Sequence, residues 1–375
     1  MNSIIEEISK LRKGAPIVVD YKNSNRYRVV TVEENGSQTA YCFSAPIYNA
    51  KTRKAIDLRF YRDGTTVFFT GSNAQIEISD NIKLTNSEGS CNISLNSKCS
   101  SISDTEIIFS NERIYPTTNG IAIRSSIDNN NSYTFTIELN KPFLKIRAND
   151  KYVAVMSERF RPFIVFSSIG TLDENGTIIS PAKVSYQKIT ERKYTITVTP
   201  CSLVGKSVII EANLYESKLF QDTTVESNKP KMNNAFGGIG FIGCTKEFGE
   251  QWLYSKLDFA KISDLNDKKI LYAVLHIPKL NSTAAELKLS KVAARFCSFG
   301  SNWYNKISES SLSNYPLINE HYIDVDLSPI ITDRQHRLCR SDGFILKSKN
   351  RNSGFSVIAT GDNYLSPQIL EINYR

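Results

Sequence analysis

Short runs of alternating apolar and polar residues dominate the chain. Ile323, Val325 and Leu327 alternate with Asp324, Asp326 and Ser328, and Ile372 and Tyr374 with Glu371 and Asn373. Phe344 and Leu346 likewise alternate with Ile345 and Lys347, and Ile56, Leu58 and Phe60 with Asp57, Arg59 and Tyr61. A two-residue period in short runs bounded by Gly, Pro, Asn and Ser predicts half-buried strands. Further strands are expected at Lys269–Leu280, Tyr133–Leu139, Phe143–Ala148, Tyr152–Met156, Phe163–Phe166 and Tyr194–Val198. Arg62-Asp63-Gly64 reads as the turn of a hairpin whose return strand is Thr65–Phe69. Asp173-Glu174-Asn175-Gly176 reads as a second turn. Residues 81–104 are rich in Ser and Asn and weakly patterned, so exposed strands and loops are expected there.

One segment has a helical period. Ile4, Ile5, Ile8 and Leu11 form an apolar stripe, Ser3 and Glu6 can make a capping box, and Gly14 and Pro16 end the helix. The fold expected is therefore all-β, with tandem antiparallel β-sandwich (jelly-roll-like) domains and a short N-terminal helix. The expected order is a helix over 1–14, a β-rich region over 15–217 that is one domain or two divided near 130, and a sandwich over 218–375. The helix either packs on the next domain or ties the chain, through residues 3–13, into a homo-oligomer or larger assembly.

Residues 222–374 carry a resemblance. Asp222–Ser227 opens as a DT-V-S-type strand, Asn233–Gly243 comes next as an Asn- and Gly-rich loop, and Tyr254–Phe259 matches a Y-K-F-D-like strand. Tyr322–Leu327, Gly343–Leu346 and Ser366–Tyr374 match I-D-V-T-like, G-F-x-L and S-P-x-L-x-I-x-Y strands in the same order. In these elements the stretch resembles the DNRLRE family of bacterial surface modules, some of which bind polysaccharide. The family's Trp-containing segment is reduced here to Asn314-Tyr315-Pro316. The region before residue 222 resembles the β-rich part that precedes the module in DNRLRE and Rhs-type proteins, with Ser207–Glu211 standing for its last strand. The resemblance implies a β-sandwich that serves attachment, with polysaccharide or cell-wall glycan as partner.

Composition narrows the function. The chain has 375 residues, ample for large cores. Its net charge of +8 is spread evenly: 20 Lys and Arg against 16 Asp and Glu from Lys218 onward, and 26 against 22 before it. An even spread argues against nucleic acid as a partner. No stretch is long and apolar enough to span a membrane. The opening MNSIIEEISKLRKG has acids at Glu6 and Glu7 and lacks the apolar core of a secretory signal. The expected location is extracellular or cell-surface without a classical signal peptide, or alternatively a phage-like particle. The seven cysteines show no C-x-x-C pair and no Cys/His spacing of a metal site. Most are expected to be reduced, buried, small apolar residues, and Cys91 and Cys99 can alternatively bridge a loop.

Candidate chemistry is sparse. Gly238–Gly243 satisfies G-x-G-x-x-G, but an Asn-rich run precedes it and Phe248-Gly249 breaks the run after it, so the dinucleotide reading is set aside. His276, His321 and His336 sit near no nucleophile pattern, and His276 is expected to be structural within its strand. Asp324 and Asp326 share a strand face, where they can hold a loop or a calcium ion. The binding candidates are Trp303 and Tyr304, whose rings can stack on sugar C–H faces. A basic cluster of Arg334, Arg337 and Arg340, with Lys347, Lys349 and Arg351, can meet an acidic polysaccharide. No cofactor, no metal and no enzymatic activity is expected. The expected function is a non-catalytic cell-surface, carbohydrate-binding or adhesion protein. The alternative is a structural or receptor-binding part (fibre, baseplate or shell) of a phage-like particle.

Overall fold

The computed structural model describes residues 4–375 apart from 65, 96, 128–130, 143–144, 158–160, 203–204, 283–284, 315, 336–342 and 351–353, and only the backbone of 311–314. The protein is all-β: its strands pair antiparallel, and a short helix, α1 (Ile4–Leu11), opens the chain.

The chain divides into two compact units, Tyr48–Ser217 with Phe236–Gly238, and the residues up to Ile47 with Lys218–Ala235 and Ile239–Arg375. The chain passes between them after residues 47, 217, 235 and 238. The expectation that residues 15–47 belong with the adjoining β-rich region is overturned. Strand Gln38–Phe43 pairs in unbroken register with strand Ile369–Tyr374, Gln38 facing Tyr374 and Phe43 facing Ile369. Val30, Ala40 and Cys42 then share a core with Leu370, Ile372 and Tyr374. Alternation fixes which face of a strand is buried but not which strand lies beside it.

In the first unit, strands Pro162–Leu172 and Ile178–Lys188 form a hairpin that pairs only at its turn end, from Gly170 with Pro181 to Leu172 with Ile178. Its turn is the expected one. Asp173 Oδ1 accepts the N–H groups of Asn175 and Thr177 at 2.9 and 2.8 Å, and Gly176 takes a φ of +85°, which suits glycine. Pro162–Leu172 then pairs with Ser207–Leu214, and Ile178–Lys188 with Lys193–Pro200, so the hairpin feeds two sheet halves. Their facing sides enclose one core, with Leu84, Ile93, Phe135 and Ile196 from one half and Ile114, Ile123, Phe166 and Ile210 from the other. Strand Tyr133–Leu139 shows the alternation at its clearest: Tyr133, Phe135, Ile137 and Leu139 are buried and the residues between are not. The Ser/Asn-rich stretch is more committed than its composition suggests. Strands Ile82–Asn86 and Gly89–Ser94 bury Ile82, Leu84, Cys91 and Ile93 in the core. The first hairpin lies slightly later than the alternation placed it, at Tyr61–Asp63 and Thr66–Thr70.

The second unit is a sandwich. One sheet runs in the order Arg28–Val32, Gln38–Phe43, Ile369–Tyr374, Ile270–Pro278, Tyr322–Asp326, Leu317–Ile318. The other runs Glu309–Asn314, Leu287–Val292, Gly343–Ser348, Gly249–Leu257, Ile239–Thr245, Phe355–Ala359, with Phe220–Glu226 also on Gly249–Leu257. Val30, Leu275, Val325 and Ile372 of the first sheet meet Ile242, Leu253, Leu289 and Leu346 of the second. GIGFIG falls largely in the strand Ile239–Thr245. The expected strand Tyr254–Phe259 ends at Leu257, because Asp258 caps a short 3-10 helix over Phe259–Leu265 by accepting Ala260 N–H. A second helix unforeseen in the sequence, α2 (Ser328–Gln335), begins just after Asp326, whose Oδ1 accepts Ser328 N–H at 2.9 Å.

Helix α1 is docked within this second unit. Ile8 is fully buried, Arg12 makes two hydrogen bonds to Glu33 at 2.7 and 2.9 Å, and Tyr322 donates to Glu7 at 2.9 Å. Gly14, at φ +81°, ends the helix as expected, its N–H donating to Ser9 O. Ser3 of the expected capping box lies outside the described residues, as do Thr65 and Phe143 of the expected strands and Tyr315 of the reduced motif.

Candidate functional site

Strand Gly249–Leu257 has two unlike faces. Leu253 and Leu257 enter the core between the sheets, while Trp252 and Tyr254 point the opposite way, onto a patch with Val225, Val292 and Ile345. The segment 293–308 crosses that outer face. It contributes Phe296, whose ring meets Tyr254 edge-on at 5.8 Å, and Trp303, which meets Trp252 edge-on at 5.3 Å. Tyr254 donates its hydroxyl to Ile307 O at 2.7 Å, which ties the segment down.

Charge is threaded through these rings. Lys306 Nζ lies 3.8 Å from the Trp303 ring centroid and 5.3 Å from that of Trp252, and Lys347 Nζ lies 4.6 Å from Trp252. A half-exposed cation over an indole face gains about 0.5–1 kcal/mol. Glu309 closes the set: it accepts from Lys347 at 2.5 Å and Ser290 at 2.7 Å and sits 3.6 Å from Lys288. Burial opposes the charge of Glu309, but the hydrogen bonds from Lys347 and Ser290 outweigh it and hold its pKa below the usual range.

The tip of the segment is fixed by its own polar groups. Asn302 Oδ1 accepts the N–H groups of Tyr304 and Asn305, and Asn305 Oδ1 accepts Asn302 N–H at 2.7 Å. Asn305 Nδ2 donates to Gly300 O, and Asn233 Nδ2 donates to both Ser298 O and Ser301 O. On this braced turn Tyr304 is 70 % exposed.

The two aromatic candidates thus separate. Trp303 is half-buried, packed by Trp252 and Lys306, and forms a wall; Tyr304 presents the open ring. Each described member of the basic cluster has a partner of its own. Arg334, in the last turn of α2, sits 5.5 Å over Phe259, Lys347 pairs with Glu309, and Lys349 lies 3.3 Å from Glu286. Arg337, Arg340 and Arg351, and also His336, lie outside the described residues. Trp252, Lys306 and Glu309 belong to the site but were not expected from sequence. Trp252 carries a readable signal, since it shares strand parity with Tyr254 against Leu253, but its partners arrive from another strand and a loop.

Two other constellations stand out. The ring of His276 is held between Asp324 at 2.7 Å and Glu371 at 3.1 Å, on three adjacent strands of the first sheet of the second unit. Asp324 also accepts from Asn319 Nδ2, and Glu371 from Tyr272, so these carboxylates form a polar network across the sheet face. Asp326 caps α2 and takes no part in it. No cluster of three or more metal-ligating side chains occurs among the described residues. The first unit has a cleft of about 740 Å³ lined by Arg113, Arg124, Lys206, Asp173 and Glu174 among others, and it holds no aromatic ring among the described residues. It offers charge and hydrogen bonds without a stacking surface. No protein-family model matches the chain, and no curated protein matches it.

Proposed function

We propose that the protein is a non-catalytic carbohydrate-binding protein that serves attachment at a cell surface, and that it recognises polysaccharide or cell-wall glycan with the tip of segment 293–308. The observation that carries this reading is Tyr304: a large ring, 70 % exposed, on a turn whose backbone is tied by Asn302 and Asn305. A sugar ring presents apolar C–H faces that stack on such a ring, and a turn ordered before binding loses little entropy on contact. Lys306 lies two residues away and favours glycans with acidic groups near the stacked sugar. The resemblance of residues 222–374 to DNRLRE surface modules points the same way.

The test is binding of the full chain to arrays of neutral and acidic polysaccharides and to whole bacterial cells. Binding to one glycan class, weakened by Tyr304→Ala, is the expected result. Blank arrays together with blank cells would overturn the reading.

A further inference from the structure

Three side chains in the second unit form a buried set that the glycan reading does not use. Lys218 precedes strand Phe220–Glu226, Asp222 lies within that strand, and Asp362 lies in the turn after strand Phe355–Ala359. Their residues are 6 %, 2 % and 6 % exposed. Lys218 Nζ is 2.5 Å from Asp362 Oδ1 and 4.2 Å from the Tyr364 ring centroid. Asp222 is hydrogen-bonded to Asp362, and its Oδ2 also accepts Gly361 N–H at 2.5 Å. Phe220, Leu219 and Tyr364, close to them in sequence, are buried as well.

We propose that Lys218 and Asp362 join covalently, forming an amide between Nζ and Cγ within the folded chain, with Asp222 as the acid–base group for the step. Neutralising a single lysine needs one carboxylate; the second carboxyl, hydrogen-bonded to the first, is what a condensation requires. With Nζ 2.5 Å from Oδ1, the nitrogen and the carboxyl group are already in contact, as a near-attack arrangement requires. Burial and the neighbouring charge of Asp362 push the Asp222 pKa well up, which favours its protonated form, the form that can donate a proton.

In this dry setting the Lys218 ammonium passes a proton to the paired carboxyls and becomes an amine. Its lone pair forms the N–C bond to Asp362 Cγ while Asp222 hydrogen-bonds the carboxyl oxygen that takes up negative charge. A second proton leaves nitrogen, a Cγ–O bond breaks, and that oxygen departs with both protons as one water. Asp222 ends as it began, a carboxylic acid, and no oxidant, reductant or cofactor is consumed. The product is neutral, so a buried ion pair is replaced by an amide, which costs far less to keep out of water.

The experiment is the intact mass of the denatured, reduced full chain, with tryptic mapping. Expected are a mass lower than the sequence by one water and a branched peptide joining the segments that contain Lys218 and Asp362. Lys218→Arg and Asp222→Ala should each restore the full mass. A wild-type chain of full sequence mass overturns the proposal without reference to any variant. A lost water without the branched peptide overturns it too, since dehydration then lies elsewhere. Persistence of the cross-link in a folded Asp222→Ala protein would remove Asp222 from its assigned role.

Discussion

His276 Nδ1 lies 2.7 Å from Asp324 Oδ1, across adjacent strands of the sheet that also carries Glu371. Burial of the ring works against its charge, but hydrogen bonds to Asp324 and Glu371 more than offset this and raise its pKa from 6.5 to about 9. A histidine with a raised folded-state pKa contributes stability that is full below its unfolded pKa and is lost as pH rises through the folded value. The window is therefore from about pH 6.5 to 9, and the contribution is on the order of 3 kcal/mol at about 1.4 kcal/mol per pH unit. Thermal unfolding of the wild type should weaken as pH rises through that window, and His276→Gln should flatten the dependence. A wild type and variant with parallel stability profiles would mean that the ring is not charged in the folded state.

The cysteines give a second prediction. The six in the described residues are free thiols, so Cys91 and Cys99 are not bridged. Cys42 and Cys91 are buried; burial pushes the Cys42 thiol up to about 12 and raises that of Cys91 as well. Since the thiolate is the nucleophile, both should resist a thiol reagent until the chain unfolds, while the exposed Cys99, Cys244 and Cys297 react at once. Mapping alkylated peptides before and after denaturant checks this.

The strands were legible where one face is apolar and the other polar. Tyr133–Leu139 is the simplest case, and the Asp173–Gly176 turn was read correctly because a side-chain oxygen and a glycine at positive φ define it locally. Partner choice was not legible. Nothing in Gln38–Phe43 announces that its neighbour is Ile369–Tyr374, because that pairing depends on the edge left open at the far end of the chain. Helix α2 was hidden for a different reason: in SPIITDRQ only Ile330 and Ile331 are buried, too few to show a helical period, and its start is marked chiefly by Asp326. At the candidate site Trp303 and Tyr304 were visible as aromatic residues in a polar loop. Their division into wall and open ring depends on Trp252 and Lys306, which arrive by tertiary packing and turn geometry.

Helix α1 should behave as part of the second unit. Ile8 is fully buried, and Arg12 reaches Thr31 and Tyr41 on the strands beneath and Glu33 just beyond the first of them. Ile8→Ala should cost about 2–5 kcal/mol, the usual range for truncating a buried aliphatic side chain to alanine. Removal of residues 1–14 should lower the unfolding midpoint and leave the molar mass from light scattering unchanged. A change of oligomeric state with no loss of stability would instead make the helix an assembly element.

The division between Tyr304 and Trp303 makes the sharpest test of the glycan reading. Tyr304 is mostly exposed, and its backbone turn is held by Asn302, so Tyr304→Ala should leave the unfolding midpoint within about a degree or two of wild type. If the ring stacks on sugar, the loss of about 1–1.5 kcal/mol should weaken glycan binding about tenfold. Trp303→Ala removes a half-buried wall that Trp252 and Lys306 pack against, so stability and affinity should fall together. Arg113→Ala with Arg124→Ala, in the cleft of the first unit, should change neither. Titration calorimetry and thermal unfolding on the same preparations separate these cases. Unchanged affinity in Tyr304→Ala with a large loss in the arginine variant would move the glycan site from the aromatic turn to the cleft.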